Sequence, residues 1–183
     1  MRYNILILSI ISLFVANRPL AAQRRDAVKT STDLLMFASA AVGAGVALIK
    51  SDNKGVLQLV EGCATSVAAA YLLKYTVSKR RPDGSDNNSF PSNHTGVAFA
   101  GATFLYKRYG WQWDVPAYLV AAYVGWGRIY SERHDAWDVL AGAAIGTGSA
   151  LLFTKSFSKQ HEVVVAPLIS PEVDCGIHFS MRF

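Results

Sequence analysis

The feature that most constrains this chain is a succession of apolar segments, each of helical length, separated by short polar loops. After a charged start, Met1-Arg2, and an apolar run over 5–15, such segments recur at about 33–50, 56–81, 93–108, 115–130 and 134–155. Ser31, Thr32 and Asp33 offer caps for the first of these, and Pro82 stops the second. The apolar stretch 56–73 would be about 27 Å long at 1.5 Å per residue, close to a hydrocarbon core of about 30 Å. The third and fourth segments are shorter. Runs rich in Ala and Gly over 38–45, 98–101 and 141–148 permit close helix approach in a bilayer. The expected fold is all-α: a compact, membrane-associated helical bundle of five to six helices.

Composition supports a membrane setting. Hydrophobic residues make up 51% of the 183 and charged residues 17%, against roughly a quarter charged in an average soluble domain. The net charge of +5 does not point to nucleic acid. Lys79-Arg80-Arg81, Arg128 and Arg133 sit at the ends of apolar segments, whereas a nucleic-acid footprint is a broad stripe with aromatic platforms. No nucleic-acid partner is expected.

The two ends differ from the middle. Residues 1–22 have the charged, apolar and small-residue sections of an export signal, with cleavage after Ala22, or form an uncleaved first transmembrane helix. Residues 23–158 form the helical domain. Residues 159–183, with alternating Ile177, Phe179, Met181 and Phe183, read as a short β-hairpin-like tail. Cys63 and Cys175 have no metal-type spacing.

Three polar stretches interrupt the apolar pattern. Lys74 precedes Arg81-Pro82 by seven residues, about two helical turns, which would place both cations on one face near a helix end. Pro91-Ser92-Asn93-His94 stands immediately before an apolar segment. Ser and Asn cap helices, a helix N-terminus offers free N–H groups to phosphate, and His94 would lie beside it. Arg128 is followed by His134 and then by Asp138. On a helix beginning near His134, Asp138 falls one turn along and can accept one imidazole N–H, leaving the other nitrogen as a nucleophile.

Together these stretches resemble the type 2 phosphatidic acid phosphatase superfamily, whose pattern is Lys-x6-Arg-Pro, then Pro-Ser-Gly-His, then Ser-Arg-x5-His-x3-Asp. The resemblance covers about 56–153 and matches at every ionisable motif position. It implies a helical bundle and a phosphatase that works without metal or other cofactor, through a phosphohistidine intermediate. Lys74, Arg81 and Arg128 would bind phosphate, and Ser92 and the amides near Asn93 would complete the cradle. His94 would protonate the leaving oxygen, His134 attack phosphorus, and Asp138 orient His134. Asn93 stands where the family has Gly, and Gly127 where it has Ser.

The expected substrate is a phosphomonoester or pyrophosphate of a membrane lipid: phosphatidate, a polyprenyl diphosphate or lipid A. The partners are then that lipid and the bilayer. Counting segments gathers the three motifs on one side of the membrane. In a bacterial cell envelope that side faces the periplasm. A soluble periplasmic acid phosphatase and a vanadate-dependent haloperoxidase are the alternatives.

Overall fold

The computed structural model describes residues 20–157 and, as backbone, strands β1 (Glu162–Ser170) and β2 (Val173–Arg182). The export signal or first span expected over 1–22 therefore lies outside the described residues, apart from 20–22. Helix α1 occupies 20–35, and a turn at Met36 and Phe37 joins it to α2, Ala38–Ile49. Helices α3 (Asn53–Thr76), α4 (Asn93–Tyr109), α5 (Asp114–Tyr130) and α6 (Ala136–Phe153) complete the bundle. The tail expected to be hairpin-like forms an antiparallel pair in which Val165 lies opposite Phe179.

Three helical stretches are long and apolar enough to cross a membrane: Leu20–Ile49, Asn53–Thr76 and Ala136–Phe153. The first is 30 residues long, about 45 Å at 1.5 Å per residue, so it exceeds a hydrocarbon core of about 30 Å. Its surplus is the polar early part, with Arg24, Arg25, Asp26, Lys29 and Asp33. Large apolar side chains face outward around the bundle, among them Ile49, Leu72, Leu119 and Leu152. Such an exterior suits lipid contact.

Helix α4 is the axis. From Thr95 to Leu105 every residue but Phe99 is buried, and Phe104 and Leu105 anchor a core with Leu59, Ala121 and Val124. Its approach to α6 depends on glycine. A Cβ at Gly146 would collide with the Gly96 carbonyl, and one at Gly142 with the Ser92 carbonyl. That close approach lets the Ser92 amide donate to the Asp138 carbonyl at 3.0 Å, which ties the second polar stretch to the third.

Three helix ends differ from the sequence expectation. The first helix does not begin at Asp33. It runs through Ser31 and Thr32, whose hydroxyls donate to the carbonyls of Val28 and Lys29, so they cap nothing. Helix α3 stops at Thr76, short of Arg81. Val77 is extended (φ −113°, ψ 94°), and the following backbone is committed to loop contacts: Ser89 N–H donates to Lys79 O at 3.0 Å and Arg81 N–H to Asp86 O at 2.9 Å. Helix α6 starts at Ala136, after His134, because a capping box sets its first turn. Asp135 accepts from the Asp138 amide at 3.0 Å and Asp138 from the Asp135 amide at 3.1 Å.

At the far end of α4, Arg108 is buried and bidentate to Asp52, with Nε at 2.6 Å and Nη2 at 2.5 Å. Its Nη1 donates to Lys155 O at 2.7 Å and to Gln58 at 3.1 Å, while Tyr109 OH donates to Asp52 at 2.8 Å.

Candidate active site

The other end of the bundle holds a cleft of about 440 Å³ where the end of α3, the start of α4, the end of α5 and the polar half of α1 converge. Lys74, Arg81, Asn93, His94, Arg128 and His134 all line it, together with Lys29, Asp33, Asp86 and Arg133. The structure thus brings together six of the eight residues singled out by sequence. The other two, Ser92 and Asp138, are fully buried behind the wall.

Lys74, in the last turn of α3, donates to the carbonyls of Asn88 (2.7 Å) and Pro91 (2.8 Å). It thereby ties the loop leading to α4 against α3. Arg81 reaches the cleft from that loop, not from a helix face, and is aimed by Asp86, which accepts from Nε at 2.7 Å. Arg128 is buried in the last turn of α5. Its Nη1 lies 2.6 Å from Asp33 Oδ1, and its Nε has no partner among the described residues. A buried guanidinium with spare donors is suited to an incoming anion.

Ser92 is the N-cap of α4 and its hydroxyl accepts from the Thr95 amide and hydroxyl. Its side chain shapes the helix start, and Asn93 and His94 in the first turn are what the cleft meets. The buried Oδ1 of Asn93 has no partner among the described residues. The second departure from the family pattern has a steric reason: a Cβ at Gly127 would collide with Thr32 Cγ2 of α1.

His134 is buried between α5 and α6, and its amide donates to Arg128 O at 3.2 Å. Burial, then the positive charges of Arg128, Arg81 and Lys74, hold its imidazole well below the usual histidine range. It is neutral near pH 7, which leaves one ring nitrogen with a free lone pair. Asp138 does not hydrogen-bond it here: Nδ1 and Oδ2 are 3.6 Å apart. The carboxylate is engaged by Lys79 Nζ at 2.8 Å, the Ser89 hydroxyl and the Asp135 amide. Because His134 precedes the helix, Asp138 faces it from the first turn of α6 and not from one turn along a shared helix.

Lys79, Ser89, Asp33 and Lys29 were not singled out by sequence. Lys79 is hidden within a basic run. Asp33 and Lys29 form an i,i+4 ion pair at 3.1 Å, a spacing visible in sequence but common on any solvated helix. Asp33 Oδ1 also lies 3.0 Å from His94 Nε2.

Comparison with known proteins agrees with this geometry. Residues 55–162 match the model of the PAP2 superfamily. A lipid A 1-phosphatase of Porphyromonas gingivalis is 48% identical over 77 residues, 40% of this chain, and the chain spans only 17% of that protein's length. A lipid A 4'-phosphatase of Helicobacter pylori is 28% identical over 82% of this chain and 79% of its own. The crystal structure of a transmembrane PAP2-type phosphatidylglycerolphosphate phosphatase from Bacillus subtilis shares the fold, with a TM-score of 0.57 at 24% identity over 74% of this chain and 76% of its own. With the matched segment covering more than half of the chain and carrying all three polar stretches, the protein belongs to the PAP2 superfamily.

Proposed function

We propose that this protein is a metal-independent lipid phosphatase of the bacterial envelope that removes a phosphate through a phosphohistidine on His134. The observation that carries the reading is the convergence of Lys74, Arg81 and Arg128 on a cleft that two histidines also line, at the end of an apolar bundle. Phosphoryl transfer asks a protein mainly for positioning and charge stabilisation, and three cations around one anion supply both. Among the described residues no group of three or more His, Cys, Asp and Glu stands ready to hold a metal ion.

In the first step the His134 lone pair forms a P–N bond while the P–O bond to the lipid breaks. The bond electrons go to the leaving oxygen, which takes a proton from His94. Nδ1 of His134 is on the Asp138 side, so Nε2 is the attacking atom. In the second step water attacks phosphorus, His94 accepts its proton, and the P–N electrons return to His134. Asp138 stabilises the charge on His134 between the two steps from behind, and Lys79 and Ser89 hold Asp138 in position.

The names of the two lipid A phosphatases and the lipid-facing exterior favour a lipid A-type phosphate as substrate. The cleft faces the periplasm in this reading. Several cations at the cleft end are matched by acids (Arg25–Glu132, Lys79–Asp135, Arg81–Asp86, Arg133–Asp83). At the opposite end Arg108 is paired with Asp52, while Lys50, Lys54 and Lys155 have no acidic partner among the described residues, and an excess of cations is what the cytoplasmic side tends to carry. Phosphate release from a panel of lipid A, phosphatidate and polyprenyl diphosphate in mixed micelles, with and without EDTA, tests the proposal. Lipid A should be turned over fastest and EDTA should change nothing; activity lost to EDTA and restored by a divalent metal would refute the metal-free mechanism.

A further inference from the structure

We infer that Asp33 on α1 is a positioning residue for His94, so that the site contains a second His–Asp pair serving the leaving group. This inference rests on the reading of His94 as the acid, given above. The residue lies outside the segment 55–162 matched by the superfamily model, and its place in the cleft comes from the polar half of α1.

The geometry is specific. Asp33 Oδ1 is 3.0 Å from His94 Nε2 and 2.6 Å from Arg128 Nη1, and Oδ2 is 3.1 Å from Lys29 Nζ. Helix α1 is itself fixed there by packing of Thr32 against Gly127 of α5 and by the hydrogen bond between Ser31 and Tyr123 at 2.9 Å. Holding Nε2–H on a carboxylate sets the tautomer and ring orientation and leaves Nδ1 for the leaving oxygen. An anion at this distance also favours the imidazolium, the form that can give up a proton. Burial is the largest opposing influence, followed by the positive charges of the same cleft, Arg128 and Arg81 first with Lys74 and Arg133 beside them. Together they outweigh Asp33 and hold the ring below the usual histidine range, at about 4, so the acid form depends on keeping this carboxylate. Asp33 is the carboxylate that contacts His94. When the P–O bond breaks, its electrons take the Nδ1 proton, and Asp33 keeps Nε2–H throughout.

The same carboxylate has a cost for binding. It is a negative charge held against Arg128, one of the three cations proposed to bind phosphate, so it opposes that anion. A residue that only braced the fold would not improve phosphate affinity when neutralised.

The test uses full-length protein in detergent micelles, with Asp33→Asn, His94→Ala and the double variant assayed on an alkyl lipid phosphate and on 4-nitrophenyl phosphate. Inorganic phosphate serves as the probe of binding. Asp33→Asn should slow the alkyl substrate far more than the aryl one, whose leaving group needs little protonation. The basic limb of its kcat/KM profile should move about one unit or more to lower pH, since an acid that has lost its anion gives up its proton earlier. Inhibition by inorganic phosphate should tighten. In the His94→Ala background the Asp33 change should cost the alkyl substrate nothing further.

An unmoved basic limb, or an alkyl penalty of the same size with and without His94, would overturn the pairing. Loss of phosphate inhibition in Asp33→Asn would do so as well, whether or not Asp33→Glu, which keeps the charge, restores it. If His94→Ala itself treats the two substrates alike, the acid assignment fails first and the pairing with it.

Discussion

The two ends of the bundle each bury an arginine against an aspartate, and they use the pair in opposite ways. At the far end Arg108 meets Asp52 with two nitrogens and spends the third on Lys155 O and Gln58. All three of its nitrogens are engaged, and Tyr109 fills a remaining position on Asp52. At the cleft end Arg128 gives one nitrogen to Asp33 and leaves Nε without a partner among the described residues. A saturated buried ion pair fixes helices in register, whereas an incompletely satisfied one retains electrostatic free energy for a ligand. Clasp and cradle are thus built from the same two residue types, and partner count separates them.

The contrast can be broken by mutation, and the largest effect should be on stability. Arg108→Ala leaves Asp52 buried and unpaired, a change that costs on the order of 3–5 kcal/mol. Chemical denaturation in detergent should reveal it, while turnover per folded molecule stays near wild type. Arg128→Ala should show the reverse. Stability should change little, because Asp33 keeps Lys29 and His94, and turnover should fall about 10²-fold or more, as when one preorganised charge stabiliser is removed. Arg128→Lys should not restore it, since an ammonium lacks the planar fork that grips two oxygens. Equal stability losses at both ends would erase the distinction between clasp and cradle.

Asp138→Asn should have a mixed effect. The residue completes the capping box of α6, so roughly 1 kcal/mol of stability should be lost. Phosphate should still bind, and turnover should be slow because the charge on His134 is no longer matched. A normal rate would show that the 3.6 Å separation persists during catalysis and that Asp138 serves only the fold.

The smallest effect concerns pH. Burial and the cleft's positive charges depress the His134 pKa, so protonation of the nucleophile should leave phosphoenzyme formation flat from about pH 7 down to pH 5. Removing the Arg128 charge lets that pKa rise, so the acid limb should move to higher pH in Arg128→Ala. A limb that stays put would mean that Arg128 has no part in setting it.

How much of this was legible in the sequence follows from which interactions are local. Motif spacing located Lys74, Arg81, His94, Arg128 and His134, and hydrophobic pattern located the helices. The pattern extended α3 to Arg81 because Pro82 is the obvious stop, yet the loop backbone of 77–89 finds partners within itself. It started α6 at His134 because the capping box satisfies Asp135 and Asp138 in a way that periodicity does not register. Asp33 was read as a cap. Its contacts with His94 and Arg128 join residues far apart in sequence, and only the packing of α1 across α5 brings them together. Lys79 and Ser89 were missed for the same reason: their partner Asp138 is supplied by the fold.

The most direct test of the cradle with His134 as its nucleophile is to trap the enzyme during turnover of a labelled phosphate ester. An acid-labile, base-stable phosphoenzyme should accumulate in the wild type and be absent in His134→Ala, while His94→Ala still forms it from 4-nitrophenyl phosphate. Phosphoenzyme that persists in His134→Ala but is lost in His94→Ala would contradict the assignment and reverse the two histidines.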